Sequence, residues 1–153
     1  MFLHRMNVAD LERRPAVYVI SCRNKKGKPV SIARSGDTDK KGRVYIGECG
    51  DLRDRLGNFR KIIFDDYKTL QGHSAANRYV RIKKYQELFP ADLLWVEWEF
   101  LKSKTLAQKK EKDMLRDYIE QFGDLPPFNK EMPFGNLSKD WGDPLAFPHP
   151  SSD

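Results

Sequence analysis

Residues 43–56 read RVYIGECGDLRDRL, and this stretch decides the architecture because its period changes in mid-course. From Arg43 to Glu48 the β-branched and aromatic residues suit a strand and would sit poorly in a helix, and Gly47 falls where a strand meets a turn. After Gly50 the repeat lengthens: Leu52, Leu56, Phe59 and Ile63 follow the spacing of one helix face, with Asp51 near the start to favour the N-terminal dipole. A helix therefore leads out of a strand.

Upstream, Ala16 to Cys22 (AVYVISC) repeats the strand composition. Between the two strands, Asn24 to Gly42 is polar and carries Gly27, Gly36, Gly42 and Pro29, which reads as loop with a short weak strand over Val30 to Ala33. Downstream, a second amphipathic helix is predicted from His73 and Ser74 to Leu88, with Ala75, Tyr79, Ile82 and Phe89 inward and Arg78, Arg81 and Lys84 on another side. Pro90 ends it. Leu93 to Phe100 alternates so that Leu94, Val96, Trp98 and Phe100 share the face of a third strand. Lys104 to Phe122 forms the longest helix, stopped by Gly123 and Pro126-Pro127.

The order strand, strand, helix, helix, strand, helix predicts an α/β chain of the α+β type: a small three-stranded sheet, mixed or antiparallel, packed between helices. A length of 153 residues suits one domain. We divide the chain into an N-terminal extension at 1–15, a domain at 16–131, and a Pro- and aromatic-rich tail at 132–153 expected to wrap on the domain.

Composition narrows the function. No apolar run approaches the ~18 residues that span a bilayer, and the N-terminus lacks a signal-peptide core, so a cytoplasmic protein without membrane insertion is expected. The net charge of +6 points first to nucleic acid and second to an anionic membrane surface, against the plainer reading of surface solubility. Cys22 and Cys49 are too few for a disulfide framework and read as buried free thiols. Trp95, Trp98 and Trp141 read as packing residues rather than platforms for bases.

One carboxylate stands out. On the last helix Glu111 falls near the centre of the face formed by Ala107, Met114, Leu115, Tyr118 and Phe122. A lone glutamate there costs stability unless it is paired, hydrogen-bonded or bound to a cation. Arg55 borders the apolar stripe of the first helix, where it is either a snorkelling side chain or a phosphate clamp. With tyrosines on two strands, these residues supply a phosphate clamp, a metal ligand and a general base or proton relay, the roles phosphodiester cleavage needs.

In this arrangement the chain resembles the GIY-YIG nuclease family over roughly Ala16 to Asn129. Ala16-Val17-Tyr18 stands for the first motif and Tyr45-Ile46-Gly47 for the second; Arg55 follows Tyr45 at the family's spacing in YIGECGDLRDRL. Glu111 in KKEKDMLRDYIEQF matches the family's metal-binding glutamate, and Asn129 in LPPFNKE the closing asparagine. The chain departs from the pattern at Ala16, in place of the first glycine, and at Phe59, where several members carry histidine. His73 in GHSAAN is the candidate ring instead. No counterpart of the family's large separate DNA-binding domain is expected within these 153 residues.

The resemblance implies a metal-dependent endonuclease acting on double-stranded DNA. It implies Mg²⁺ on Glu111, with Mn²⁺ as a substitute, and a water deprotonated by Tyr18 or Tyr45. Arg55 would neutralise transition-state charge, and Asn129 would orient a turn or a tyrosine. Arg60, Lys61, Arg78, Arg81 and Lys84 are candidates for contacts to the phosphate backbone, and cutting both strands would suit a homodimer. The alternatives are a nucleic-acid-binding module that keeps the fold without chemistry, and a small α/β interaction protein whose basic surface is incidental.

Overall fold

The computed structural model describes residues 1–65 and 73–130. The tail expected at 132–153, with Trp141, lies outside them. Among the described residues the strands and α-helices are β1 (Ala16–Cys22), β2 (Ile32–Ala33), β3 (Thr38–Asp39), β4 (Arg43–Cys49), α1 (Leu52–Phe64), α2 (Ser74–Arg81), α3 (Lys83–Leu88), β5 (Leu94–Phe100) and α4 (Lys104–Phe122).

The main sheet has the order β4-β1-β5 and is antiparallel throughout, with Tyr18 of β1 opposite Gly47 of β4 and Trp98 of β5. Of the two pairings left open by the sequence, the mixed one is absent from it. Strand alternation divides its faces. Ala16, Tyr18, Ile20, Leu94 and Val96 join Leu52, Leu56, Phe59 and Ile62 of α1 and Ala75, Ala76 and Tyr79 of α2 in the main core. Val19 and Ile46 pack on the other side against Met114, Leu115, Tyr118 and Phe122 of α4. The sheet thus lies between helices, and Leu3, Met6 and Leu11 of the segment at 1–15 are buried in the main core as well.

The α1 face closes on Ile62 rather than Ile63, which is half-buried, because Ile62 lies on the same side of the helix as Phe59 and points into the core. Ala16 starts the β1 ladder, paired with both Cys49 and Phe100, where glycine's freedom is not needed.

The single helix expected at 73–88 is broken. Ile82 adopts an extended conformation (φ −104°, ψ 96°) between α2 and α3 and is only half-buried. The Gln86 carboxamide donates to the carbonyls of Tyr79 and Val80, satisfying acceptors that the break frees. The offset lets the Tyr79 hydroxyl donate to the Phe89 carbonyl at 2.8 Å and the Tyr85 hydroxyl to the Pro127 carbonyl at 2.9 Å.

The long loop is more ordered than its composition predicted. Its strand is shorter, Ile32–Ala33, and pairs with Thr38–Asp39 as a hairpin. Asp39, fully buried, accepts from the backbone N–H groups of Lys41 and Arg43 and pairs with the Arg43 guanidinium at 3.2 Å. That guanidinium also lies over the rings of Tyr118 and Phe122, which ties the loop to α4. Gly123 caps α4 in the left-handed region (φ 73°), and the Gly36 N–H donates to the Phe122 carbonyl beside it. Among the described residues no helix is long and apolar enough to cross a membrane. Both cysteines are buried free thiols.

Candidate active site

Strand alternation puts Tyr18 and Tyr45 on the same face of neighbouring strands, with ring centroids 5.9 Å apart. The space between them is the space Gly47 leaves. A Cβ there would stand 2.6 Å from a ring carbon of Tyr45 and 2.8 Å from the Tyr18 hydroxyl, both closer than packing allows. Glycine is required at this position for close approach, not for an unusual backbone angle.

His73 completes an aromatic cluster. Its imidazole caps α2, with Nδ1 accepting from the Ala76 N–H at 3.4 Å, and its Nε2 lies 2.7 Å from the Tyr18 hydroxyl. The ring is buried and meets Phe59 edge-on at 4.8 Å and Tyr45 at 5.4 Å. Histidine therefore reaches the site from the cap of α2 and packs directly on Phe59. Burial, with the Arg55 charge second, lowers its pKa to about 3, so it is a neutral imidazole at physiological pH.

Burial also sets the phenols. It raises Tyr18 well above the ordinary tyrosine value, helped by Tyr45, and it raises Tyr45, against which Arg55 pulls down. Arg55 sits on the first turns of α1, half-buried; burial works against its charge, but Tyr18, Tyr45, Cys49 and Glu48 together raise its pKa. The arginine thus stays cationic within reach of both rings.

Glu111 is half-buried on the α4 face, as its place in the stripe requires. Burial raises its carboxyl to about 7, with the Glu48 carboxylate adding to the rise; a hydrogen bond from the Glu48 backbone, Arg55 and Lys112 oppose it. Glu48 is a site residue absent from the sequence expectations. The signal was available in the alternation of β4, since Glu48 shares a face with Ile46, which packs against α4. One of its carboxylate oxygens, Oε2, is shielded from solvent.

Asn129 reaches the site through the backbone. Its Oδ1 accepts from the Ile46 N–H at 3.0 Å and its Nδ2 donates to the Ile46 carbonyl at 2.8 Å, while the Phe128 N–H donates to the Val44 carbonyl. The carboxamide takes the place of a neighbouring strand on the open edge of β4, holding the residue between Tyr45 and Gly47.

A cleft of about 270 Å³ opens beside these groups, bounded by Glu48, Gly50, Asp51, Arg55, Asn58 and Lys104. None of the five basic residues expected to contact phosphates lines it. Arg60 donates to the His4 carbonyl and Arg78 to the Asn129 carbonyl, so both have structural duties. Lys61, Arg81 and Lys84 are exposed elsewhere on α1, α2 and α3. Lys104, on the first turn of α4, is the cation at the mouth that sequence reasoning missed.

The site thus brings together Tyr18, Tyr45, Arg55, His73 and Glu111, with Asn129 behind them. Compared with protein-family models, curated proteins and solved structures, the chain matches none.

Proposed function

We propose that the protein is a metal-dependent endonuclease of the GIY-YIG type, hydrolysing phosphodiester bonds in double-stranded DNA. The observation that carries this reading is the convergence of Tyr45, Arg55 and Glu111, from one strand and two helices, within electrostatic reach of one another, with Arg55 also lining the cleft. A base, a cation for the phosphate and a carboxylate for a metal are what the reaction requires.

The residues fit a divalent ion. Burial, with the Glu48 carboxylate adding to it, raises the Glu111 carboxyl to about 7, so a cation beside the two carboxylates would favour its charged form. Among the described residues no cluster of three or more His, Cys, Asp or Glu forms a cage. That donor set suits Mg²⁺, which keeps several waters and takes one or two carboxylates plus phosphate oxygens, and Mn²⁺ is the natural substitute. When bound, the ion supplies Lewis-acid stabilisation of charge on the phosphate and leaving oxygens.

The chain's own groups do the rest. Glu111 holds the ion. One phenol of the tyrosine pair, having given its own proton to solvent with Arg55 favouring the phenolate, would take a proton from the attacking water. Arg55 presents its planar fork to phosphate oxygens as negative charge develops. Asn129 and Gly47 keep Tyr45 in register. The +6 net charge supports a DNA partner, the reduced thiols a cytoplasmic setting, and cutting both strands a homodimer.

The test is cleavage of plasmid and linear duplex with Mg²⁺, Mn²⁺ or EDTA, run beside Glu111→Gln and Arg55→Ala. Metal-dependent cutting by the wild type, lost in both variants, is the expected result. A wild type that binds DNA in a salt-dependent way but leaves every substrate intact would instead favour the binding-module reading.

A further inference from the structure

Asp54 and Asn58 bound two depressions at once. On one side they line the cleft beside Arg55 and Lys104; on the other they line a groove of about 530 Å³ between α1 and residues 8–13. The cleft therefore has an exit, and it runs along the outer face of α1. Its far wall, Val8, Ala9 and Arg13, precedes Ala16, so it lies outside the stretch that resembles the GIY-YIG nucleases.

That wall is fitted to the helix. Gly57 stands inside α1, where glycine is a poor helix former, and a Cβ there would meet a methyl of Val8 at 3.3 Å, tighter than ordinary packing. The helix gives up a better residue at this point, and the segment at 8–13 comes close.

The charge in the groove is held in place without being cancelled. Arg53 Nε donates to the Leu11 carbonyl at 2.7 Å, and the Arg60 guanidinium to the His4 carbonyl at 3.2 Å. A carbonyl orients a guanidinium but leaves its full charge, and each arginine has five N–H groups to offer. Lys61 is exposed at the next position along α1. The carboxylates of Asp54 and Asp51, at the junction, are already paired with Arg13 at 2.8 and 2.9 Å. Among the lining residues, Arg53, Arg60 and Lys61 are left facing Asp65, an excess of positive charge that a polyanion complements.

The length also suits a nucleic-acid backbone. From Arg55 to Lys61 the helix advances about 9 Å, at about 1.5 Å a residue. One DNA strand carries a phosphate for about every 3.4 Å of duplex axis, so this length spans about two or three of them.

We propose that the groove between α1 and residues 8–13 is the track on which the phosphate backbone of duplex DNA leaves the cleft, with Arg53, Arg60 and Lys61 as its contacts and Asn58 at the junction. The proposal deepens the nuclease reading and rests on it for the reaction in the cleft, whereas the binding is tested apart from cutting. Contacts of this kind supply affinity and register and read no sequence. Arg60 and Lys61 thus reach the DNA a few nucleotides from the bond that is broken, which is why neither lines the cleft itself.

The test is duplex binding by fluorescence anisotropy in EDTA across a range of salt concentrations. Lys61→Ala should lower the slope of log K against log salt by about 0.9, the weight of one phosphate contact. Lys84→Ala, an equal loss of charge on α3 away from the groove, should leave the slope unchanged. Lys61→Glu should bind more weakly than Lys61→Ala, and because the side chain is exposed neither variant disturbs the core. A slope unchanged in Lys61→Ala, or lowered as much by Lys84→Ala, overturns the track even in a protein that cuts DNA. A wild type that binds no duplex overturns it too. A wild type that shows the Lys61 effect but cuts no duplex upholds the track and overturns the nuclease reading alone.

Discussion

The carboxamide of Asn129 faces the backbone of Ile46 as a strand would, donating to its carbonyl and accepting from its N–H. Replacing it with alanine leaves two partly buried backbone groups on β4 unpaired, which costs about 1–3 kcal/mol. Asn129→Asp should fail to rescue it, since a carboxylate can accept from the N–H but only repels the carbonyl. Urea denaturation of both variants checks the cost; wild-type stability in Asn129→Ala would mean the clasp is dispensable.

Gly47→Ala places a methyl between the two phenols. One ring has to move, so we expect a loss of about 1–3 kcal/mol from overpacking together with loss of cleavage. Thermal melts and the aromatic NMR shifts of Tyr18 and Tyr45 report the two effects separately.

Glu111 gives a pH signature. Its carboxyl sits near 7 in the folded chain against an ordinary 4.5, so folding favours the protonated form. The resulting destabilisation is absent below about pH 4.5 and grows as pH rises through 7. In EDTA, Glu111→Gln should therefore melt higher than wild type at pH 8 and level with it at pH 4.5. Solvent screening at a half-buried site reduces the effect to about 1 kcal/mol, or roughly 2–4 °C. A gain that is equal at both pH values would place its cause elsewhere.

Arg55→Lys keeps the charge but not the planar fork. We expect it to lose about 10²–10³-fold in kcat, close to Arg55→Ala, while duplex binding measured in Ca²⁺ stays within a few-fold of wild type. Full activity in the lysine variant would reduce Arg55 to a point charge.

Asp39→Ala removes the buried partner of Arg43 and the acceptor of two loop N–H groups. The expected loss is about 3–5 kcal/mol, accompanied by faster amide exchange over residues 30–42.

Local pattern accounts for what could be read in advance. The period-2 strands, the α1 and α4 stripes and the Gly123 stop are each written within one stretch of sequence, and Glu111 was conspicuous because it broke one of those stripes. What escaped depends on partners far along the chain. The break at Ile82 carries no Pro or Gly; it is held by Gln86 on freed carbonyls and by Tyr85 on Pro127. The β2–β3 hairpin depends on Asp39 being buried against Arg43, which its DTDKKGR context did not reveal. Glu48 and Lys104 join the site through the packing of β4 and α4 edge to end. Arg60 and Arg78 looked like surface cations until their carbonyl partners at His4 and Asn129 were visible.

Order of synthesis follows from the clasp on β4. A ribosome has produced Tyr18, Tyr45, Arg55 and Glu111 well before it reaches residue 129, yet until then the outer edge of β4 has no partner at Ile46. Chains halted between Glu111 and Asn129 carry Tyr18, Tyr45, Arg55, His73 and Glu111 but no clasp on β4.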